Sequence, residues 1–209
     1  MRDEGSRTLA KALTGKENVF SSGELAFACE SRTPISAKKK YFLVFPKHIN
    51  GFDFEEMVRF CIYMRRRHGL LPVFVPMHLR QDEPLCKALA LNVGGKAYFR
   101  ACDARALRGL IHGAAFTVCM RFHAAVFSAS EQVPAISVSD DGKLAAFFRG
   151  SASACLGASA TASELAREAL RALGEREKIK KLLGNFSEEQ RRLALEELER
   201  IRLLFEKTR

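Results

Sequence analysis

FTVCMRFHAAVFSASEQVPAISVSDDGK, residues 116–143, holds two short apolar runs with a helical segment between them. The first run, FTVCM (116–120), reads as a buried strand and stops at Arg121 and His123; the second, PAISVS (134–139), reads as another and stops at a DDGK turn that ends in Lys143. Between them HAAVFSASEQ (123–132) has the small and apolar residues of a helix packed tightly on a sheet. Two strands apolar on both faces, joined by a helix, are the pattern of parallel pairing. Working outward, the same alternation recurs. YFLVFP (41–46), LPVFVPMH (71–78) and KAYFRA (96–101) read as strands, and segments 51–69, 83–94 and 103–114 as the helices that follow them. Asp53 and Glu56 have capping-box spacing, Gly69 ends that helix, and Asp103 is placed to cap the third.

Five apolar strands with crossover helices predict an α/β fold: a Rossmann-like three-layer α/β/α sandwich around a parallel sheet. The predicted organisation is an N-terminal helix and connector over 1–40, a Rossmann-like anion-binding domain over 41–158, and a C-terminal helical appendage over 159–209. In the appendage, SASACLGASATAS (151–163) reads as a loop running into a helix over 161–173, and GEREKIKKLLGN as a short charged segment. Ser187 and Gln190 suggest a fresh capping box before a last helix, with Leu195, Leu198, Ile201 and Phe205 in one stripe. That stripe is expected to pack on the sheet or on another chain.

The chain of 209 residues is 47% apolar, enough for a sizeable core, and carries a net charge of +10. Residues 151–209 hold 12 Lys+Arg against 10 Asp+Glu, so +8 of the +10 lies on residues 1–150. A basic body suits an anionic partner. Nucleic acid is not expected, because the basic clusters (Lys38-Lys39-Lys40, Arg65-Arg66-Arg67) are short and the chain has no Trp and three Tyr for stacking. The six cysteines form no CxxC pair and mostly sit in apolar runs, which suits a reducing, cytoplasmic setting. No apolar stretch approaches the ~20 residues that span a bilayer, and no transmembrane segment is expected.

In a parallel α/β sheet, ligands collect at the carboxyl ends of the strands, where helix amino termini direct their dipoles. Arg121 and His123 fall at such an end. A guanidinium offers a planar fork for carboxylate or phosphate, and an imidazole at the first helical turn can donate to the same anion. Lys143, after the next strand, is placed to add a third cation, and His78, after the second strand, lies at the same edge. Each residue also has a plain structural use: a solvated strand-end Arg, a capping His, an exposed turn Lys. His48, His68 and His112 read as loop or helix-end residues. There is no Gly-rich dinucleotide fingerprint, Walker sequence, GxSxG elbow or zinc spacing.

CMRFHAAVFSASEQVPAISVSDDGKLAAFF resembles the signature block of the polysaccharide pyruvyl transferase family: Arg-Leu-His, a small-residue helix, Val-Pro, an apolar strand, then a Tyr-Asp-x-Lys turn. Arg121, His123, Val133, Pro134 and Lys143 stand at matching positions, while Phe122 replaces the Leu and SDDGK the Tyr-containing turn. PMHLRQDE is similar to a family strand followed by a loop and an Asp, here Asp82, and MRDEGSRTLAKAL to a family Arg-Asp-x-x-Ser helix. Members resemble two-domain GT-B glycosyltransferases, and in them that last segment lies mid-chain, so this sequence resembles the carboxyl-terminal half.

The resemblance implies an enzyme, a transferase that moves pyruvyl from phosphoenolpyruvate onto a sugar hydroxyl as a ketal. Arg121 and His123 would be catalytic; Arg121, His123, Lys143, Asp82 and His78 would bind substrate. No metal and no cofactor beyond the phosphoenolpyruvate donor is implied. The partners would be phosphoenolpyruvate, a saccharide acceptor, and a missing N-terminal Rossmann half or a second copy. The general base for the hydroxyl is expected from that absent half. Two alternatives stay open: a GT-B half-domain that binds a nucleotide sugar, and a non-catalytic anion-binding or assembly module.

Overall fold

Strand β1 (Tyr41–Phe45) is buried at every position, as a strand needs to be when helices cover both faces of its sheet. In the computed structural model, which describes residues 4–16, 24–28, 40–97, 104–148, 151 and 153–206, it is central to a six-stranded sheet. β2 (Leu71–Phe74), β3 (Lys96–Ala97), β4 (Thr117–Cys119), β5 (Ala135–Val138) and β6 (Ala154–Leu156) complete that sheet in the order β3-β2-β1-β4-β5-β6. Every neighbouring pair is parallel. The order reverses between β1 and β4, which are paired with Leu43 opposite Thr117 and Phe45 opposite Cys119. That reversal opens a crevice at the carboxyl edge, where the two connecting chains leave in opposite directions.

The helices follow the strands: α2 (Phe54–His68), α3 (Leu79–Val93), α4 (Ala104–His112), α5 (Phe122–Ser130), α6 (Gly142–Phe147), α7 (Ala162–Gly174) and α8 (Arg176–Glu206), after an initial α1 (Glu4–Thr14). Side chains alternate along β1 between the two helical layers. Phe42 stacks on Phe116 at 4.8 Å between ring centres and meets Phe60 of α2 edge-on at 5.7 Å, whereas the Tyr41 hydroxyl donates to Leu110 O of α4 at 2.6 Å. α2 packs against α3 and α7 in one layer, and α5 against α4 and α8 in the other. The predicted three-layer sandwich is thus the fold observed.

Asp53 caps α2 as expected, accepting from Glu55 N and Glu56 N at 2.9 and 3.1 Å, and Gly69 closes it at φ 64°. Glu56 does not turn back to complete the capping box. Its Oε2 instead accepts from Ala162 N at 2.6 Å, tying α2 to the start of α7. Gly95 is required by close approach: an added Cβ would lie 2.8 Å from Pro72 O and 3.0 Å from the Phe74 ring. Gly95→Ala is therefore expected to lower stability by about 1–3 kcal/mol, read as a lower urea midpoint at unchanged slope.

Four sequence expectations need correction. The segment read as a loop over 151–163 contains β6, a strand of small residues formed because β5 offers an unpaired edge. The second strand stops at Phe74, and α3 begins at Leu79, so Asp82 lies in a helical first turn and not in a loop. The DDGK segment read as a turn opens the short helix α6, which takes in Gly142 and Lys143. Finally, α8 is one continuous helix through Ser187, whose hydroxyl donates to Ala129 O at 2.6 Å, so no second helix is capped there.

With 31 residues, α8 runs about 46 Å and outreaches the sheet. Ala194 is buried, whereas Leu195, Leu198, Ile201 and Phe205 are 36–70% exposed among the described residues. The charges beside the stripe pair along the helix, as in Arg192 with Glu189 and Glu196 at 2.6 and 2.5 Å. Residues 98–103, with Asp103, and Arg2 and Asp3 of the Arg-Asp-x-x-Ser segment lie outside the described residues.

Candidate functional site: a cationic cleft at the strand-order reversal

Arg121 closes β4 in extended backbone and is the N-cap of α5, but its side chain makes no capping bond. A guanidinium has no acceptor to offer a helix amino terminus, so the opening turn of α5 is left for another anionic or acceptor group. His123 follows in that turn, and both line a cleft of about 360 Å³ over the carboxyl ends of the strands. Lys47, His78 and Lys143 line it too, with Asp141 the one carboxylate in its wall among the described residues. Two of three layers of chain meet here: residues following β1 and β2 on one side, those following β4 and β5 on the other.

Each side chain is held in its own way. Arg121 Nε donates to Asp82 Oδ2 at 3.2 Å, and Nη2 to Asp82 Oδ1 and to Gln81 Oε1. Asp82 is 1% exposed, and its Oδ2 also accepts from Met77 N and His78 N at 3.2 and 2.9 Å. The residue expected to touch substrate is therefore engaged beneath Arg121. Among the described residues Nη1 of Arg121 has no hydrogen-bond partner, which leaves that end of the fork for a ligand. His78, the N-cap of α3, makes no side-chain capping bond.

His123 is largely exposed, and its Nε2 lies 3.8 Å from Glu24 Oε1. Glu24 precedes a short 3-10 turn (Leu25–Ala28) whose Phe27 packs 6.2 Å from both Phe147 and Phe186. Phe122, in the place of the family Leu, packs edge-on to Phe147 at 5.1 Å and so joins the first turn of α5 to α6. Lys143 sits in the first turn of α6 with Nζ 3.8 Å from Asp141 Oδ2, while Asp141 Oδ1 accepts from Lys143 N at 3.0 Å.

Below the cleft the β4–α5 contact is polar but satisfied. Thr117 Oγ1 donates to Ser128 Oγ at 2.8 Å, and Ser128 Oγ to Ala124 O at 2.8 Å. Cys119 lies in this layer, and burial pushes its thiol up to about 11; burial likewise pushes Cys86 up to about 12 and raises Cys61. These thiols stay protonated near neutral pH and offer no nucleophile. Among the described residues, no three His, Cys, Asp or Glu side chains converge to hold a metal ion, and no helix is long and apolar enough to cross a membrane.

Sequence reasoning missed Lys47, Gln81 and Glu24. Lys47 had a usable signal, because it lies two residues past β1 and all carboxyl ends of a parallel sheet share one edge. Its backbone N–H donates to Met120 Sδ at 3.4 Å, across the reversal.

A parallel sheet with its strand order reversed beside a cationic crevice defines a Rossmann-like α/β fold with its open cleft at the carboxyl ends of the strands. A model of the polysaccharide pyruvyl transferase family matches residues 1–142, and the chain belongs to that family. No curated protein matches it in sequence.

Solved structures with the same fold include a protein described as a UDP-N-acetylglucosamine 2-epimerase from Listeria monocytogenes (16% identity, TM-score 0.68, 95% of this chain and 57% of that one). Another is Anabaena HepE, solved with UDP and glucose (9% identity, TM-score 0.61, 99% of this chain and 62% of that one). The CMP-Kdo-binding domain of WaaA from Acinetobacter baumannii is a third (11% identity, TM-score 0.52, 73% of this chain and 89% of that one). This chain thus spans 57–62% of the first two.

Proposed function

We propose that the cleft binds phosphoenolpyruvate, and that the chain is the donor-binding half of a pyruvyl transferase that ketalises a sugar. The observation carrying this reading is the convergence of Arg121, His123, Lys143, His78 and Lys47 on one cleft beside the uncapped start of α5, all but Lys143 within the matched segment. Phosphoenolpyruvate carries a carboxylate and a phosphate close together, and such a set neutralises both without a metal.

In the reaction, a sugar hydroxyl oxygen bonds to C2 of the enolpyruvyl group while the methylene carbon takes a proton. A second hydroxyl of the same sugar then displaces phosphate and closes the ketal. Of the two hydroxyl protons lost, one balances the new methyl group and the other leaves with phosphate or solvent. Arg121 clamps the carboxylate or phosphate through Nη1, and His123 donates the proton or contacts phosphate. Lys143, Lys47 and His78 add positive charge or donors where the leaving phosphate accumulates charge. Asp82 acts through Arg121 as a positioning residue. The reading includes a second Rossmann-like half that completes the cleft, in line with the greater length of the HepE and epimerase chains.

Calorimetric titration of the full chain tests this. Phosphoenolpyruvate is expected to bind, and Arg121→Ala to weaken it about ten- to a hundredfold, the loss of charge-assisted hydrogen bonds. A second reading draws on the uncapped α5 start, which also suits a diphosphate, and on the UDP bound in HepE. Binding of UDP-glucose with no binding of phosphoenolpyruvate would replace the first reading with the second. Binding of neither would favour an assembly module.

A further inference from the structure

Beside the cleft lies a second, more open groove of about 550 Å³, lined by Lys47, His48, Asn50, Ser139, Asp140 and Asp141 and floored by Ile49 and Ala158. Lys47, Ser139 and Asp141 also line the cleft, so the two cavities share a wall. Their chemistry differs. The cleft sets Lys47, His78, Arg121, His123 and Lys143 against Asp141, whereas the groove sets Lys47 and His48 against Asp140 and Asp141, with an amide and a hydroxyl between them. A near-balanced wall of donors and acceptors does not suit a second anion. It suits a neutral molecule rich in hydroxyls, each of which both donates and accepts.

The groove is also partly preorganised. Asp140 Oδ1 accepts from Ala158 N at 2.8 Å, and a Cβ on Gly157 would lie 3.3 Å from that oxygen, so the absence of a side chain there keeps the carboxylate in place. On the shared wall, Asp141 uses Oδ1 to accept from Lys143 N, and its Oδ2 lies 3.8 Å from Lys143 Nζ, beyond hydrogen-bond reach. Oδ2 is thus open to a hydroxyl arriving from the groove side.

We infer that this groove is a saccharide subsite, with Asp141 accepting a hydrogen bond from the hydroxyl nearest the anion in the cleft. The inference rests on the donor reading only for the identity of that neighbouring anion. It assigns acceptor contacts to this half of the enzyme, whereas the resemblance drew the general base for the hydroxyl from the other.

The test is amide NMR on the 15N-labelled full chain, titrated separately with phosphoenolpyruvate and with the methyl pyranosides of glucose, galactose, mannose and N-acetylglucosamine. At least one glycoside is expected to shift resonances of residues 47–50, 139–141 and 158. Asn50→Ala and His48→Ala, both at exposed positions, should each weaken it about three- to tenfold while phosphoenolpyruvate affinity is unchanged. Phosphoenolpyruvate binding without any glycoside effect at these residues would overturn the subsite and spare the donor reading. Glycoside shifts indifferent to both variants would also overturn it. Glycoside binding here without phosphoenolpyruvate binding would support the subsite and remove the donor reading.

Discussion

Asp82→Ala is expected to lose about 3 kcal/mol of stability and most phosphoenolpyruvate binding together. The carboxylate is buried and gathers four donors from two directions: Nε and Nη2 of Arg121, and the amides of Met77 and His78. Removing it leaves two amides unmet at the start of α3 and a guanidinium with no fixed heading. Arg121 keeps some access to water, with a side chain 21% exposed, so the cost falls at the low end for a broken buried pair. Urea unfolding reads the first effect and calorimetry the second. Asp82→Asn separates them: it keeps an acceptor for the amides and recovers part of the stability, but without the charge it holds Arg121 poorly. Full phosphoenolpyruvate affinity in a folded Asp82→Ala chain would remove Asp82 from the positioning role.

Glu131→Ala is expected to cost about 3–5 kcal/mol. Glu131 is the C-cap of α5, and its side chain is 4% exposed. Oε1 accepts from Arg108 Nε at 2.5 Å, and Oε2 lies 3.1 Å from His112 Nδ1. The carboxylate therefore clamps the end of α4 to the end of α5, opposite the end of α5 that opens the cleft. Taking it away removes the carboxylate that Arg108 Nε and His112 Nδ1 both face. Glu131→Gln, which keeps the shape, should lose less. Thermal or urea unfolding of both variants against wild type checks this, and a change below about 1 kcal/mol for Ala would show the pair to be offset by its desolvation.

Much of the fold was legible because strand and helix signals are local. YFLVF, FTVCM and AISV carry few polar side chains, and these lie buried, Tyr41 bonding to Leu110 O of α4 and Thr117 to Ser128 of α5, so the runs read as doubly covered strands. β6 was not legible: Ala-Cys-Leu has weak strand propensity, and only the free edge of β5 makes it a strand. The false start at Ser187 has a similar cause. Ser187-Glu188-Glu189-Gln190 matches a capping box in isolation, but Ser187 Oγ finds Ala129 O in the neighbouring helix and the backbone continues.

The site divides the same way. Arg121 and His123 were readable from their place at a strand end, and Lys143 from the next strand along. That Asp82 lies under Arg121, 39 residues away, was not, since a contact at that separation depends on which strands are neighbours.

What the sequence alone determined is the alternation of buried strands and helices, and the edge at which Arg121, His123, Lys143 and His78 emerge. Periodicity is set by each residue and its nearest neighbours along the chain. The lateral order of the strands belongs to the packed sheet, and only that order brought Lys47 across from Arg121, set Asp82 beneath the Arg121 guanidinium, and opened a second groove beside the first.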